Sequence, residues 1–218
     1  MPRRLVQPTP PALSENDARL VAPSATRNVD HIVAVAQDFA PDHEGTALEL
    51  ASGTGQHIIH LAQAIPHLQW QPSEIDPDRR SSINAYVQTS PLPNISPAVP
   101  LDATTSGWAT RHLGQSFILL VNLLHLISEA EARILISEAA AALAPGGVLM
   151  VYGPFMRAGD LTSQGDIDFH TSLRNQDPEI GYKDDFDVLE WGQDAWLDYV
   201  DLIEMPANNL ALIWRKPT

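Results

Sequence analysis

The chain contains no cysteine, which excludes disulfide frameworks, thiolate zinc sites, iron–sulfur clusters and cysteine nucleophiles. Basic residues are scarce, 13 against 27 acidic ones, and the formal net charge is -14. Wrapping a nucleic-acid backbone or an anionic membrane needs clustered Lys and Arg, so neither is expected as a partner. No apolar run approaches the roughly 20 residues of a membrane span. Met1 to Pro11 carry Arg3 and Arg4 but lack the apolar segment of a secretory signal, and a cytoplasmic location is the expectation. Three motifs are missing as well. Gly55 is followed by Gln56 and His57 rather than the Lys-Ser or Lys-Thr of a triphosphate loop, and neither a Gly-x-Ser-x-Gly elbow nor a His-Glu-x-x-His pair occurs. His57, His60 and His67 do not have ligand spacing, so no metal is expected.

What is present fits one domain of ordinary size, since 218 residues are about one and a half typical domain lengths. Residues 1–13 hold four of the 18 prolines without hydrophobic period, which predicts a flexible arm, and residues 14–218 are expected to form a single domain. Val29, Ile32, Val33, Val35, Ala36 and Phe39 recur at helical spacing, with Asn28 as an expected cap and Pro41 as a stop. Gly45 to Ala51 reads as a strand, Ser52-Gly53-Thr54-Gly55 as a tight turn, and His57 to Ile65 as a helix ended by Pro66. Further strands are expected from Leu68 to about Ile75, near Leu101-Asp102, over Phe117 to Asn122 and over Val148 to Tyr152. Helices are expected from Arg79 to Thr89 and after a capping box at Ser128 and Glu131. The alternation implies a parallel sheet with right-handed crossovers. The last two strands, Leu197 to Glu204 and Leu210 to Arg215, are separated by too few residues for a crossover and are expected to pair antiparallel. Ten acidic residues and one lysine fall between Asp177 and Glu204.

A glycine turn between a first strand and a helix exposes backbone N–H groups to a ligand, as in sites for adenosine-containing cofactors. A dinucleotide fingerprint asks for a third glycine three residues after Gly55, and that position is Ile58. The pattern here is Glu49 on the strand, the turn, and a second acid, Asp76, at the end of the next strand, where a carboxylate can accept both ribose hydroxyls.

These residues resemble the S-adenosylmethionine-dependent class I methyltransferases over nearly the whole chain. Glu49 to Gly55 is similar to the first motif of that family, Ser73-Glu74-Ile75-Asp76 to the second, and Leu101-Asp102-Ala103 to the adenine-contacting one. Asn122-Leu123-Leu124-His125 is similar to the fourth-strand motif, and Leu143 to Gly147 to the turn before the fifth strand. One departure is Ala51, where the general pattern has glycine. A closer resemblance, carried by Ala25-Thr26-Arg27-Asn28, Ala51 to His57, Trp70-Gln71-Pro72-Ser73, Tyr152-Gly153-Pro154-Phe155 and Met205 to Asn209, is to a methyltransferase-like family long catalogued as a domain of unknown function. Gln176 and Ile180 depart from that family, which has a second arginine and a tryptophan there.

The resemblance implies a Rossmann-like α/β fold with a seven-stranded, mostly parallel sheet of order 3-2-1-4-5-7-6. The seventh strand would be antiparallel, with helices on both faces. It implies methyl transfer from S-adenosylmethionine by in-line displacement to a small-molecule acceptor, in a monomer or homodimer. The expected cofactor contacts are Arg27, Asn28, Glu49, Ala51, Ser52, Gly53, Gly55, Asp76, Asp102, Ala103 and Asn122. Glu74 is the rival carboxylate. Tyr152, Phe155, Asn208 and Asn209 are expected to face the acceptor, and His125 is the candidate general base because imidazole titrates near neutrality. Two alternatives stay open: a cofactor-binding interaction protein without transfer activity, and a nicotinamide-dependent reductase.

Overall fold

The computed structural model describes residues 12–13 and 18–218. The arm expected over residues 1–13 lies outside the described residues except for Ala12–Leu13. These two form β1, which pairs antiparallel with β2, Leu20–Val21.

The first helix, α1, spans Pro23–Phe39. It begins five residues before Asn28, because Pro23 fills the first helical position, where its missing N–H costs nothing. Asn28 is therefore inside the helix, and its side chain is released for other contacts. The strand β3 (Gly45–Leu50) and helix α2 (Gln56–Ala64) flank the glycine turn, followed by β4 (Leu68–Pro72) and α3 (Pro77–Thr89). Then come β5 (Gln115–Val121), α4 (Glu129–Ala142), β6 (Leu143–Met156), α5 (Gln164–Gln176), β7 (Lys183–Asp184), α6 (Asp185–Asp194), β8 (Asp198–Met205) and β9 (Asn209–Arg215). Ser128 caps α4 through the expected reciprocal box with Glu131.

The sheet runs β4-β3-β5-β6-β9-β8, and β7 pairs with the end of β6. Pairing is parallel from β4 to β6 and antiparallel where β9 joins β6 and β8. The strand expected near Leu101 is reduced to two parallel bridges, Trp70 with Ile95 and Ser73 with Val99. The segment does run beside β4, since Ser96 N–H donates to the Trp70 carbonyl at 2.9 Å and Val99 N–H to that of Pro72 at 3.1 Å. Two residues on from Trp70, Pro72 has no N–H to give to this segment, and Ala98, the next donor in register, gives its N–H to Asn84 Oδ1 at 2.8 Å, which breaks the ladder.

Each sheet face has its own apolar core. One holds Ile32 and Ala36 of α1, Ile58 and Leu61 of α2, and Ile83 of α3, against Phe117, Leu119, Met150 and Tyr152. The other packs α4 and α6 onto Leu48, Ile118, Leu149 and Trp214. The continuous apolar run of β5, buried from Gln115 to Leu120, reflects this double cover. Residues of this size, fully buried, contribute roughly 1.5–3 kcal/mol each. Gly192 on α6 lets the helix lie directly on the Trp214 indole, where a Cβ would overlap ring atoms. Replacing Gly192 with Ala is expected to cost about 1–3 kcal/mol, read as a lowered urea midpoint. An unchanged midpoint would show that α6 does not lie on the indole.

Candidate functional site

The carboxyl ends of β3, β4, β5 and β6 converge on the turn after β3. Ala51, Gly53 and Gly55 all have left-handed backbones, with φ of 49°, 59° and 90°. At Gly55 a Cβ would come within 2.7 Å of the Ile83 Cα, so this glycine admits α3 rather than a ligand, whereas at Gly53 nothing lies closer than 3.9 Å. Ala51 adopts a conformation that costs a non-glycine residue about 1–2 kcal/mol. Ala51→Gly is expected to raise unfolding stability by about 1 kcal/mol in urea titration, and a loss would contradict this strain.

Ser52 locks the turn to β4. Its N–H donates to the Ser73 carbonyl at 2.8 Å, its hydroxyl oxygen accepts from Ser73 N–H at 3.1 Å, and its hydroxyl donates to the Glu49 carbonyl at 3.3 Å. Gln56 ties the turn to α1, accepting from Ala22 N–H at 2.6 Å and donating to the Thr26 hydroxyl at 3.0 Å.

Two buried carboxyls face this turn. Glu49 is 1% exposed, and its Oε2 is enclosed without a hydrogen-bond partner among the described residues. Burial pushes its carboxyl up to about 8; the Ser52 hydroxyl opposes that shift and Glu74 adds to it. Glu74 accepts from Gly53 N–H at 3.1 Å through Oε2, and from the N–H groups of Ile75 and Asp76 at 2.8 and 3.1 Å through Oε1. Arg79 lies 3.9 Å from it. Burial raises the Glu74 carboxyl too, against these N–H groups and Arg79.

Asp76, expected at the ribose, and its rival Glu74 are engaged differently. Asp76 caps α3, its Oδ1 accepting from Asp78 and Arg79 N–H at 2.8 and 3.1 Å, while Glu74 reaches the glycine turn. Asp102 is likewise engaged locally, its Oδ1 accepting from the N–H and hydroxyl of Thr104 at 3.0 and 2.6 Å. The Ala103 carbonyl accepts from the Trp108 indole. Arg27 is exposed on α1. Asn122 has φ of 56°, and its N–H donates to the Tyr152 carbonyl at 2.8 Å.

His125 does not sit as an accessible base. It is 5% exposed, packed against Phe169 and Tyr182, with Nδ1 enclosed and unpartnered, and burial followed by nearby Lys183 pushes it down to about 3. Nor do the four expected acceptor residues share one wall. Tyr152 and Phe155, both buried, belong to the cores on opposite sheet faces. Asn208 and Asn209 are used by the β8–β9 turn: Asn208 donates to Asp166 on α5 at 3.0 Å, and Asn209 to the Pro206 carbonyl at 3.0 Å.

Two contacts were not legible in the sequence. Asn28 Oδ1 lies 2.9 Å from His57 Nε2. Asp166 gathers the hydroxyls of Thr162, Ser163 and Tyr182 with the Asn208 amide, and only its place three residues after Ser163 marks it as a helix-start residue. Burial holds His57 down to about 4. The unfolded chain takes up protons on both His57 and His125 near pH 6.5, which the folded chain refuses, so these two groups withdraw stability as pH drops from 6.5 toward 4, while the raised Glu49 and Glu74 carboxyls act in the opposite sense. Between pH 7 and pH 5 the urea midpoint of the wild-type chain is expected to fall relative to that of the His57→Gln/His125→Phe double variant, which keeps both carboxyls. The same pH dependence in both proteins would contradict this.

A second groove is lined by Thr26, Gln56, His60, Tyr86 and Ser90. Its walls come from α1, α2 and α3 rather than from the strand ends. Among the described residues no group of three or more His, Asp or Glu could hold a metal, and no helix is long and apolar enough to cross a membrane.

With this geometry in place, the comparisons with known proteins can be read. The family described as protein of unknown function (DUF938) matches residues 19–216. The chain belongs to this family. Among solved structures, an O-methyltransferase family protein from Burkholderia thailandensis superimposes with a TM-score of 0.75 at 18% identity, covering 89% of this chain and 57% of that one. Human N-acetylserotonin methyltransferase in complex with S-adenosylmethionine gives 0.72 at 15% identity over 89% and 53%. An O-methyltransferase family 2 protein from Planctomyces limnophilus in complex with apigenin gives 0.70 at 18% over 91% and 63%. This DUF938 chain thus spans little more than half the length of these structures. At such identities the likeness shows the fold, which is the Rossmann-like one of S-adenosylmethionine-dependent methyltransferases.

Proposed function

We propose that the chain transfers a methyl group from S-adenosylmethionine to a small-molecule acceptor. The observation that supports this most is Glu49. A carboxyl buried with one oxygen unmatched is costly, and a cationic group beside the glycine turn would relieve it. The ammonium on the amino-acid end of S-adenosylmethionine is such a group, so the residues present fit the cofactor. When bound, the cofactor supplies a sulfonium-activated methyl that a lone pair on the acceptor displaces in line.

The chain's own contribution is to bind and align. Glu49 takes the ammonium. Gly53, whose Cα carries no side chain and where a Cβ would already touch the Ala51 carbonyl and Arg79 at 3.9 Å, lets the ligand approach the main chain. A carboxylate offers about four acceptor positions, and Glu74 has filled three with N–H groups, which leaves one for a ribose hydroxyl. Asp76 keeps α3 in place. His125, the expected base, is enclosed, so alignment of the reacting atoms and exclusion of water carry the rate. The fold of the O-methyltransferase neighbours supports the same reading. A nicotinamide dinucleotide is disfavoured because Ile58, where a third glycine is needed, is completely buried in the core.

Calorimetry tests this. S-adenosylhomocysteine is expected to bind and NAD is not; tighter binding of NAD would overturn the assignment. An ammonium requires the ionised form of Glu49, whose carboxyl is protonated below about 8 in the free chain. Binding at pH 7 should therefore release close to one proton, seen as a buffer-dependent enthalpy, and Glu49→Gln should abolish the release. Binding without proton release in the wild-type chain would count against the ammonium contact. Glu74→Gln should weaken S-adenosylhomocysteine by about tenfold or more. Asp76→Ala should instead cost about 1 kcal/mol of stability, and the reverse pattern would restore Asp76 as the ribose ligand.

A further inference from the structure

The acidic segment between Asp177 and Glu204 contains a surface that the free chain holds at a cost. Trp196 is 85% exposed, whereas Trp70, Trp108, Trp191 and Trp214 are all 4% exposed or less. It closes α6. Its N–H donates to the Gln193 carbonyl at 2.9 Å and Leu197 N–H to that of Gly192 at 3.0 Å, the helix-ending pattern whose left-handed position glycine fills without strain. Trp196 takes that position at φ of 63°. Three residues on, Tyr199 is 47% exposed.

The charges around these rings are poorly matched as well. Asp187, Glu190 and Asp194 are exposed and recur at spacings of three and four residues, which sets them along one side of α6. Like charges so placed repel. Asp194 also stands in the last turn, where the helix dipole is negative and no basic residue answers it. Asp198 and Asp201 follow on β8, and among the described residues none of these acids forms an ion pair. Neighbouring cations are engaged elsewhere: Arg133 with Glu129 and the Trp191 indole, and Lys216 with the carbonyls of Ala140, Ala141 and Leu143. Arg215 is paired with Asp198 by register alone.

This surface lies away from the glycine turn. Asp198 pairs with Arg215, Arg215 with Val148, and Val148 with Phe117 near the start of β5, whereas the turn follows the carboxyl ends of the parallel strands. We propose that the end of α6 and the start of β8 dock a basic segment of a partner protein, with one Lys or Arg side chain lying over the Trp196 indole. The indole face attracts a cation, the acids supply the counter-charge, and the partner's cations relieve the repulsion along α6. A second copy of a chain with a net charge of -14 would set acids against acids.

Acrylamide quenching of tryptophan fluorescence reads Trp196 nearly alone, since the other tryptophans are buried. The probes are an octapeptide of alternating lysine and serine and its glutamate–serine counterpart. At low salt the lysine peptide is expected to shield Trp196 from acrylamide, and the glutamate peptide to leave it open. In calorimetry the lysine peptide should bind Trp196→Gly about threefold or more weakly than wild type, although glycine suits the left-handed position and the urea midpoint should be no lower. Asp194→Asn/Asp198→Asn should also bind it more weakly. Equal affinity for wild type and Trp196→Gly would show a contact of charge alone and overturn the proposal. So would a Trp196 already shielded without peptide in a chain that sediments as a dimer, because a second copy would then be its cover.

Discussion

The arrangement depends on one buried charge problem. Glu49 sits near the end of a central strand, covered by the turn that follows it, with one oxygen that nothing among the described residues satisfies. A protein retains such a group at a cost of a few kcal/mol, and the surrounding structure is shaped around it. Ser52 and Ser73 close the backbone on one side, Glu74 adds a second negative charge nearby, and Gly53 puts no side chain over the turn. The free chain meets the cost by keeping the carboxyl protonated. A bound cation meets it by ionising the carboxyl, which couples ligand binding to proton release.

The fold was legible because its signals are strong and local. Glycines and prolines punctuate β3, the turn and α2, the capping box at Ser128 starts α4 where expected, and the short Met205 to Asn209 connection forces β8 and β9 to pair antiparallel. The uninterrupted apolar run of β5 announces a strand covered on both faces. The third strand failed because Pro72 on β4 falls where the ladder needs a donor and Ala98 gives its N–H to Asn84 instead. The helix α5 carries little apolar pattern, with only Asp166 and Leu173 buried along it, and gave no signal of its own.

The site was legible in its outline and not in its wiring. Residue types and spacing marked the glycine turn and its acids, but not which acid turns inward. Asp76 precedes a Pro-initiated helix and is drawn into capping it, which leaves Glu74 for the turn. His125 was chosen for imidazole chemistry at the end of β5, yet Phe169 from α5 and Tyr182 before β7 close over it, contacts 44 and 57 residues away in sequence. The contact of Asn28 with His57 joins α1 to α2, and no spacing in a single sequence encodes that meeting. Membership of the DUF938 family and the likeness to O-methyltransferases locate the fold, while the assignment of individual side chains comes from burial and hydrogen bonding.

The central claim is that Glu49 exchanges a proton for a cation. Carbon-13 NMR of its side-chain carboxyl, followed through pH with and without saturating S-adenosylhomocysteine, measures this directly. The account predicts a titration midpoint near about 8 in the free chain and a carboxyl that stays ionised to well below neutrality in the complex. A midpoint that does not move on binding would contradict it.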